Sequence, residues 1–240
     1  MSYDVGFYTR EKSALPSVEA LDAFFRGRPH YEVQSGNARY ANRLTGVDFD
    51  FDYGSHRDEE GWDPIRLTAA TGAPHTRAIE LVEEVEALVR AFDLEANDPQ
   101  MDGMGKGPFD RDAFHRGCLK ASRFGLAVNI GMNGAAPALY DDERLTAHWR
   151  WNRAHEATSR KFTDEIFVPS IAYMASGDRV LATVTWTGDM PFVLPDVDAI
   201  VTIDKSGRGA TLKVIPVSAI EGALKQGAVA DAPSRHRVVK

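Results

Sequence analysis

The sequence predicts an α+β protein, with antiparallel sheet in the first and last parts of the chain and a central group of helices. Residues 30–53 contain short alternating segments separated by turn-forming residues, and the last third, from residue 165, repeats this pattern. Residues 77–92 place apolar side chains at helical spacing, and two more helices are expected over roughly 110–127 and 141–161. This order of strands, helices and strands favours antiparallel pairing over a doubly wound fold.

The first elements are predicted to be a strand and a helix. "YDVGFYTR" (3–10) alternates as a strand does, and Ser17 is a suitable N-cap for a helix with Leu21 and Phe25 on its apolar stripe. Pro29 pushes the chain after this helix into extended conformation. Three short strands of an antiparallel meander follow: "HYEVQ" (30–34), "NARYAN" (37–42) and "VDFDFDY" (47–53).

The third of these strands separates aromatic from acidic side chains. Successive residues of a strand point to opposite faces, so Asp48, Asp50 and Asp52 share one face. We expect Phe49 and Phe51, on the other face, to be buried, because a row of carboxylates repels strongly in a dry core. The aspartates are therefore predicted to face water or a binding partner.

These aspartates begin an acidic window, residues 48–63, that carries −6 of the chain's net charge of −7. A field of this sign disfavours nucleic acid and favours a basic protein partner. The bland alternative is an acidic surface loop that keeps the protein soluble. Trp62 is the natural aromatic anchor of an interface here, or else a core residue. The predicted partner-binding residues are Asp48, Asp50, Asp52, Asp58, Glu59, Glu60, Trp62 and Asp63.

The residues do not predict a metal or cofactor site. Carboxylates along an extended strand do not converge on one point, as calcium or magnesium ligands must, and the spacing does not match an EF-hand. The glycine-rich stretch "GMGKGP" (103–108) lacks the Ser or Thr that follows the lysine of a P-loop. Cys118, the single cysteine, cannot form an internal disulfide or a cysteine-based zinc cage.

Candidate catalytic groups are equally sparse, so an enzyme is not the favoured interpretation. Cys118 and His115 could pair as nucleophile and base, but a small buried helix residue is the simpler interpretation of Cys118. In "HWRWNRAHEATSRK" (148–161), aromatic and basic residues could contact nucleic acid or anchor a helix to the core. His148 and His155 lie about 10.5 Å apart along that helix, too far to share a metal.

We expect a single domain over residues 1–224, with a candidate subdomain joint in the Gly/Pro-rich segment 98–109 and a mobile basic tail over 225–240. No apolar run is long enough to cross a membrane, and the N-terminus has no apolar signal core. Together with the single cysteine, these features are those of a cytoplasmic protein.

Four stretches carry a resemblance to a known class of proteins: "MSYDVGFYTR", "GVDFDFDY", "HWRWN" and "EIFVPSIAYM…VLPDVD". They resemble small cytosolic bacterial proteins of the immunity class, the partners of secreted toxins in contact-dependent and type VI toxin–immunity pairs. The class has no shared signature, so no functional residues carry over. The resemblance implies a non-catalytic protein that blocks a cognate toxin by binding it, without cofactor, nucleic acid or membrane.

Two functional hypotheses follow. The first is an immunity protein that binds the basic surface of a toxin through the acidic window, where electrostatic complementarity would speed capture. The second is an enzyme or small-ligand-binding protein that uses the acidic row Asp48, Asp50 and Asp52 with the nearby His56. A secreted toxin domain encoded beside the gene would favour the first.

Overall fold

The structure is a computed structural model that describes residues 1–10, 14–55, 60–100, 103–133, 140–162, 165–177, 179–187, 190–204, 211–220, 227–228 and 237–239. Its fold class is α+β, as the sequence predicts. The chain divides into two compact units, unit 1 (Met1–Ala136) and unit 2 (Pro137–Lys240). Among the described helices, none combines the length and the apolar character that crossing a membrane requires.

A seven-stranded sheet forms one layer of unit 1. Its strands are β1 (Ser2–Thr9), β2 (Tyr31–Gln34), β3 (Asn37–Asn42), β4 (Val47–Asp52), β5 (Ile65–Ala70), β6 (Leu94–Asn97) and β7 (Lys106–Pro108). Their spatial order is β2-β3-β4-β5-β1-β6-β7, and every neighbouring pair is antiparallel. The predicted strands at 30–34, 37–42 and 47–53 are therefore confirmed as a meander at one side of this sheet.

Three helices form the second layer of unit 1: α1 (Val18–Arg26), α2 (Thr76–Phe92) and α3 (Arg111–Asn133). The side chain of Ser17 accepts a hydrogen bond from the amide of Ala20 at 3.2 Å, which confirms it as the N-cap of α1. Residues of all three helices join one hydrophobic core with the inward side chains of the sheet. The helices therefore cover one face of the sheet.

The inward face of β4 confirms the predicted register. Phe49 and Phe51 are 2% and 0% exposed, and the ring of Phe25 from α1 lies 5.0 Å from that of Phe51. Several polar groups that reach this layer are paired, since a buried polar group without a partner is costly. Three tyrosine hydroxyls of the sheet layer donate to buried carboxylates: Tyr3 to Asp98, Tyr40 to Glu80 and Tyr53 to Asp22.

Glycines let α3 approach the sheet closely. A Cβ atom at Gly125 would lie 2.5 Å from the side chain of Thr71 and 2.6 Å from the amide nitrogen of Gly72. At Gly117, eight residues earlier on the same helix, a Cβ atom would lie 2.7 Å from the hydroxyl of Tyr3. The close packing of α3 therefore requires residues without a side chain at these positions.

The segment 98–109, in which the sequence suggests a joint, lies inside unit 1. It contains β7, which pairs with β6 and forms the edge of the sheet. The boundary between the two compact units falls between residues 136 and 137 instead. Gly/Pro-rich composition signals a turn, and here that turn leads into an edge strand rather than between two compact units.

Unit 2 combines short helices with small sheets. Its helices are α4 (Asp142–Arg153), α5 (His155–Ser159) and α6 (Val217–Ile220), and its strands are β8 (Ala172–Ser176), β9 (Arg179–Trp186), β10 (Phe192–Leu194), β11 (Ala199–Asp204), β12 (Thr211–Pro216), β13 (Gly227–Ala228) and β14 (Arg237–Val239). The strand order is β12-β11-β9-β8 in one sheet and β10-β14-β13 in the other. One pair, β9 with β11, is parallel, a departure from the predicted antiparallel pairing. Within the segment 225–240, predicted to be a mobile tail, the described residues are β13 and β14, and β14 pairs with β10.

One stripe of α4 and α5 holds the extended chain of unit 2 through side-chain hydrogen bonds to backbone. Asn152 accepts from the amide of Ile171 and donates to its carbonyl, both at 2.8 Å. Three neighbours on the stripe contact other backbone carbonyls: His148 that of Asp196, Trp151 that of Pro169 and His155 that of Val168. His148, Trp151 and His155 of "HWRWNRAH" therefore anchor these helices, which was one of the two interpretations of this stretch.

The glycines of α3 provide a test of this packing. We expect Gly125→Ala to lower the free energy of unfolding by about 1 to 3 kcal/mol, because the added methyl group must displace Thr71 and the backbone of Gly72. At Gly131 on the same helix, an added methyl group meets no atom of the described residues within 4 Å. Gly131→Ala should therefore raise stability by up to about 1 kcal/mol through helix propensity. Urea denaturation of both variants measures the difference. Equal shifts in the same direction would contradict the close approach of α3.

Candidate functional site

The face of the unit 1 sheet opposite the helices carries most of the predicted partner-binding residues. Its side chains occupy alternate strand positions that point away from the core, and we call it the open face. Among the described strand residues, six acids and three bases have this orientation: Asp4, Glu32, Asp48, Asp50, Asp52 and Glu95, with Arg39, Arg66 and Lys106. The open face is therefore acidic.

The three aspartates of β4 face outward, as predicted, but their surroundings differ. The Asp48 side chain is 56% exposed and lies 3.5 Å from the equally exposed guanidinium of Arg39. The carboxylate of Asp52 accepts hydrogen bonds from the amides of Gly54 and Ser55 at 3.1 and 3.0 Å. Burial alone would raise the pKa of Asp52, but these amides and the charge of Arg66 hold it below its usual value.

Asp50 is the exception in this row. It stands opposite Arg39 on β3 and Thr68 on β5, yet no hydrogen bond or ion pair reaches it from the described part of the chain. The hydroxyl of Thr68 donates instead to Asp4, at 2.8 Å. Partial burial raises the pKa of Asp50, the neighbouring Asp48 adds to this increase, and Arg39 opposes it. Asp50 is thus a partly desolvated carboxylate that receives no hydrogen bond from the described residues.

Asp63 attaches the end of the acidic window to the open face. A Cβ atom at Gly6 of β1 would lie 1.9 Å from Oδ2 of Asp63, so the carboxylate occupies the space above this glycine. The side-chain amide of Asn97 on β6 donates to the same oxygen at 2.9 Å. The absence of a side chain at Gly6 therefore allows the loop before β5 to lie across the middle of the sheet.

Trp62, next to Asp63, is 49% exposed, so the alternative that it is a core residue is wrong. The guanidinium of Arg66 lies 4.7 Å from the centre of its ring, at cation–π distance. This contact orients an amphipathic ring beside the carboxylates of β4. The arrangement is typical of an aromatic group at a protein interface.

The structure brings together five of the eight predicted site residues, Asp48, Asp50, Asp52, Trp62 and Asp63, on or beside the open face. A sixth, Glu60, is exposed just before Trp62. The other two, Asp58 and Glu59, lie outside the described residues, as does His56 of the alternative hypothesis.

Sequence reasoning missed the bases and polar groups that frame this row. Arg39 and Arg66 occupy outward positions in "NARYAN" and "IRLTAA", and the alternation of those two strands was a usable signal. The position of Asp63 above Gly6 had no such signal, because β1 is distant from Asp63 in sequence. Asn97, which also contacts Asp63, belongs to β6, and β6 lies on the other side of β1 from β5.

The spacing of the carboxylates on the open face limits what they can bind together. Alternate residues of a strand lie about 7 Å apart, so the carboxylates of β4 do not converge on one atom. Across the described residues there is no group of three or more His, Cys, Asp or Glu side chains that could hold a metal ion. Burial raises the pKa of Cys118 to about 12, which removes it as a thiolate nucleophile near neutral pH.

The chain matches none of the protein-family models, curated proteins or solved structures with which it was compared. Its function is therefore inferred from the geometry and charge of the site.

The contrast between Asp50 and Asp52 predicts opposite effects of the same substitution. The folded-state pKa of Asp50 is raised, so its ionisation opposes folding above the unfolded pKa. Asp50→Asn should therefore increase stability at pH 7, and the gain should disappear as the pH falls to about 3. Asp52→Asn should reduce stability at pH 7 by about 0.5 to 1 kcal/mol, a loss that also fades in acid because the folded-state pKa of Asp52 is lowered.

Thermal melts from pH 3 to 7 measure both effects, and carboxyl NMR titration should show Asp50 titrating above Asp52. The reverse order of the two pKa values would contradict the environments assigned to these carboxylates.

Proposed function

We propose that this chain is a bacterial immunity protein that neutralises a cognate antibacterial toxin by binding a basic surface of that toxin. Binding takes place through the open face, with Trp62 as the aromatic anchor. The protein acts in the cytoplasm, where it would meet the toxin before the toxin reaches its target. The resemblance of the sequence to immunity proteins suggests the class, and the open face supports the mode of binding.

The observation that carries this proposal is a seven-stranded sheet with helices on one face and an acidic surface on the other. A polar outer face is ordinary for an antiparallel sheet, but here six outward carboxylates against three bases give that face an acidic charge. Like charges on one surface oppose each other, and a basic partner relieves that repulsion. Complementary charge also accelerates association, which benefits a protein that must intercept a toxin quickly.

Asp50 supports the same conclusion from its local chemistry. Its carboxylate is partly desolvated and receives no hydrogen bond from the described residues. A lysine or arginine of a partner would supply both the charge and the donors that this group lacks. Asp48 already pairs with Arg39, and Asp52 already accepts hydrogen bonds from the amides of the turn after β4. A partner's cation would therefore gain the most binding free energy at Asp50.

The first test reverses charge on the open face. Asp48→Lys/Asp50→Lys should slow association with the toxin encoded beside the gene by about ten- to a hundred-fold at low salt, because electrostatic steering is lost. The matched control, Glu156→Lys/Glu165→Lys, makes the same change of charge at exposed positions of unit 2 and should change association far less. Biolayer interferometry at two salt concentrations measures both.

The functional counterpart is protection of a bacterium that expresses the toxin domain. The unaltered chain and the control should protect, and the open-face variant should not. Equal protection and equal association rates for the two variants would contradict binding through the open face. If the chain instead bound Ca²⁺ or Mg²⁺ at micromolar concentration, and Asp50→Asn abolished that binding, the small-ligand hypothesis built on the acidic row would replace it.

The second test removes the anchor. Trp62→Ala should accelerate dissociation from the toxin about thirty-fold, equivalent to roughly 2 kcal/mol, if the ring is a binding hot spot. Its thermal midpoint should change little, because the ring is half exposed and stacks on Arg66 at the surface. Arg66→Ala is the companion variant, since it removes the group that orients the ring. A large loss of stability in Trp62→Ala would show that Trp62 supports the fold instead.

A further inference from the structure

Helix α3 is basic, although the chain as a whole has a net charge of −7. The one acidic residue of this helix, Asp112, lies in its first turn. Between Asp112 and Asp141 the sequence contains no acidic residue, but it contains two arginines and one lysine: Arg116, Lys120 and Arg123. Charge in unit 1 is therefore divided between an acidic open face and a basic helix in the other layer.

The three cations of α3 form a single exposed row, which we call the basic stripe. They recur at intervals of four and three residues, so they share one side of the helix. Arg116, Lys120 and Arg123 are all exposed, whereas Phe114 and Cys118 of the same helix belong to the hydrophobic core. Arg116 and Arg123 receive no ion pair from the described residues. The basic stripe therefore presents charge to solvent that unit 1 does not neutralise.

The end of α3 that follows the basic stripe is apolar. No charged residue occurs from Phe124 to Asn133. The side chains that this segment exposes include two large apolar ones, since Phe124 is 60% exposed and Met132 is 80% exposed. They lie about 12 Å apart along the helix axis. Both would gain free energy on transfer from water to an apolar phase.

We propose that the outer side of α3 binds anionic lipid and holds unit 1 at the surface of a membrane. The basic stripe contacts headgroup phosphates, and Phe124 and Met132 enter the boundary between headgroups and acyl chains. One helix thus supplies the two components of peripheral binding, positive charge and adjacent apolar side chains. The resemblance to immunity proteins implies no membrane contact, so this inference rests on α3 and does not depend on a toxin.

A bilayer fits this combination of side chains better than other anionic partners do. A single-stranded nucleic acid would contact the cations and could stack a base on Phe124, but it would leave Met132 in water. An acidic protein segment would need an apolar groove of matching shape for both side chains. A lipid surface is deformable and offers phosphate groups and apolar depth to a convex helix.

The test of charge is co-sedimentation of the full chain with vesicles at low salt. The unaltered chain should bind an equimolar mixture of phosphatidylglycerol and phosphatidylcholine, and should bind pure phosphatidylcholine far less. Each cation near an anionic bilayer strengthens binding about five-fold, so Arg116→Glu/Arg123→Glu should weaken binding at least about twenty-fold. Arg160→Glu/Lys161→Glu makes the same change of charge at exposed positions of unit 2 and should weaken it far less.

The test of the apolar end uses Phe124→Ser/Met132→Ser. This variant should bind the mixed vesicles about ten-fold more weakly, while its melting temperature changes little because both side chains are exposed. A second measurement reports insertion directly. An environment-sensitive dye on Met132→Cys should shift its emission to shorter wavelength with mixed vesicles, and the same dye on Thr187→Cys, an exposed position of unit 2, should not. Cys118 is 4% exposed, which directs labelling to the introduced cysteine.

Four results would overturn the proposal. They are absence of binding to the mixed vesicles at low salt, equal binding to both kinds of vesicle, equal losses in the α3 charge variant and its unit 2 control, and an unshifted dye at residue 132. Binding of single-stranded DNA or polyglutamate through α3, without binding of vesicles, would also overturn it and would identify a nucleic acid or an acidic protein as the partner.

Discussion

The alternation of side chains along the strands of the unit 1 sheet is the constraint on which the rest of this structure depends. Helices α1, α2 and α3 cover one face, so every strand has one dry side and one wet side. In β4 this rule places Phe49 in the core and leaves Asp50 outside, and a slip of one residue would bury the carboxylates. The core and the acidic surface are therefore two consequences of the same register.

Carboxylates are hydrogen-bonded on the helix side of the sheet but incompletely compensated on the open face, and the functional proposal rests on this difference. On the helix side each buried carboxylate has a defined donor: Asp22 binds Tyr53, Glu80 binds Tyr40 and Asp98 binds Tyr3. On the open face the electrostatics remain unbalanced, most clearly at Asp50. A fold that satisfies its internal carboxylates so completely can tolerate repulsion outside, where water screens it and a basic partner can neutralise it.

In unit 2, side chains that could serve in catalysis or binding instead hold the fold together. His148, Trp151 and His155 of α4 and α5 contact backbone carbonyls of extended segments. Asn152 forms two hydrogen bonds there of the kind that a neighbouring strand would form. Burial lowers the pKa of His148, which keeps this anchoring imidazole neutral near physiological pH. The same residues, considered only as a list of polar and aromatic groups, also fit a nucleic-acid surface or a metal site.

The sequence by itself determined the α+β class, the three strands of the β2–β4 meander, helices α1 and α2, and the outward orientation of Asp48, Asp50 and Asp52. These features follow from periodicity and capping, which act over a few residues. Only the tertiary structure decided that Arg39 and Arg66 flank the acidic row, that Asp63 lies above Gly6 and that Trp62 is exposed. Such contacts join residues from separate strands and helices, so they depend on strand order and helix packing, which the local pattern of a single sequence does not contain.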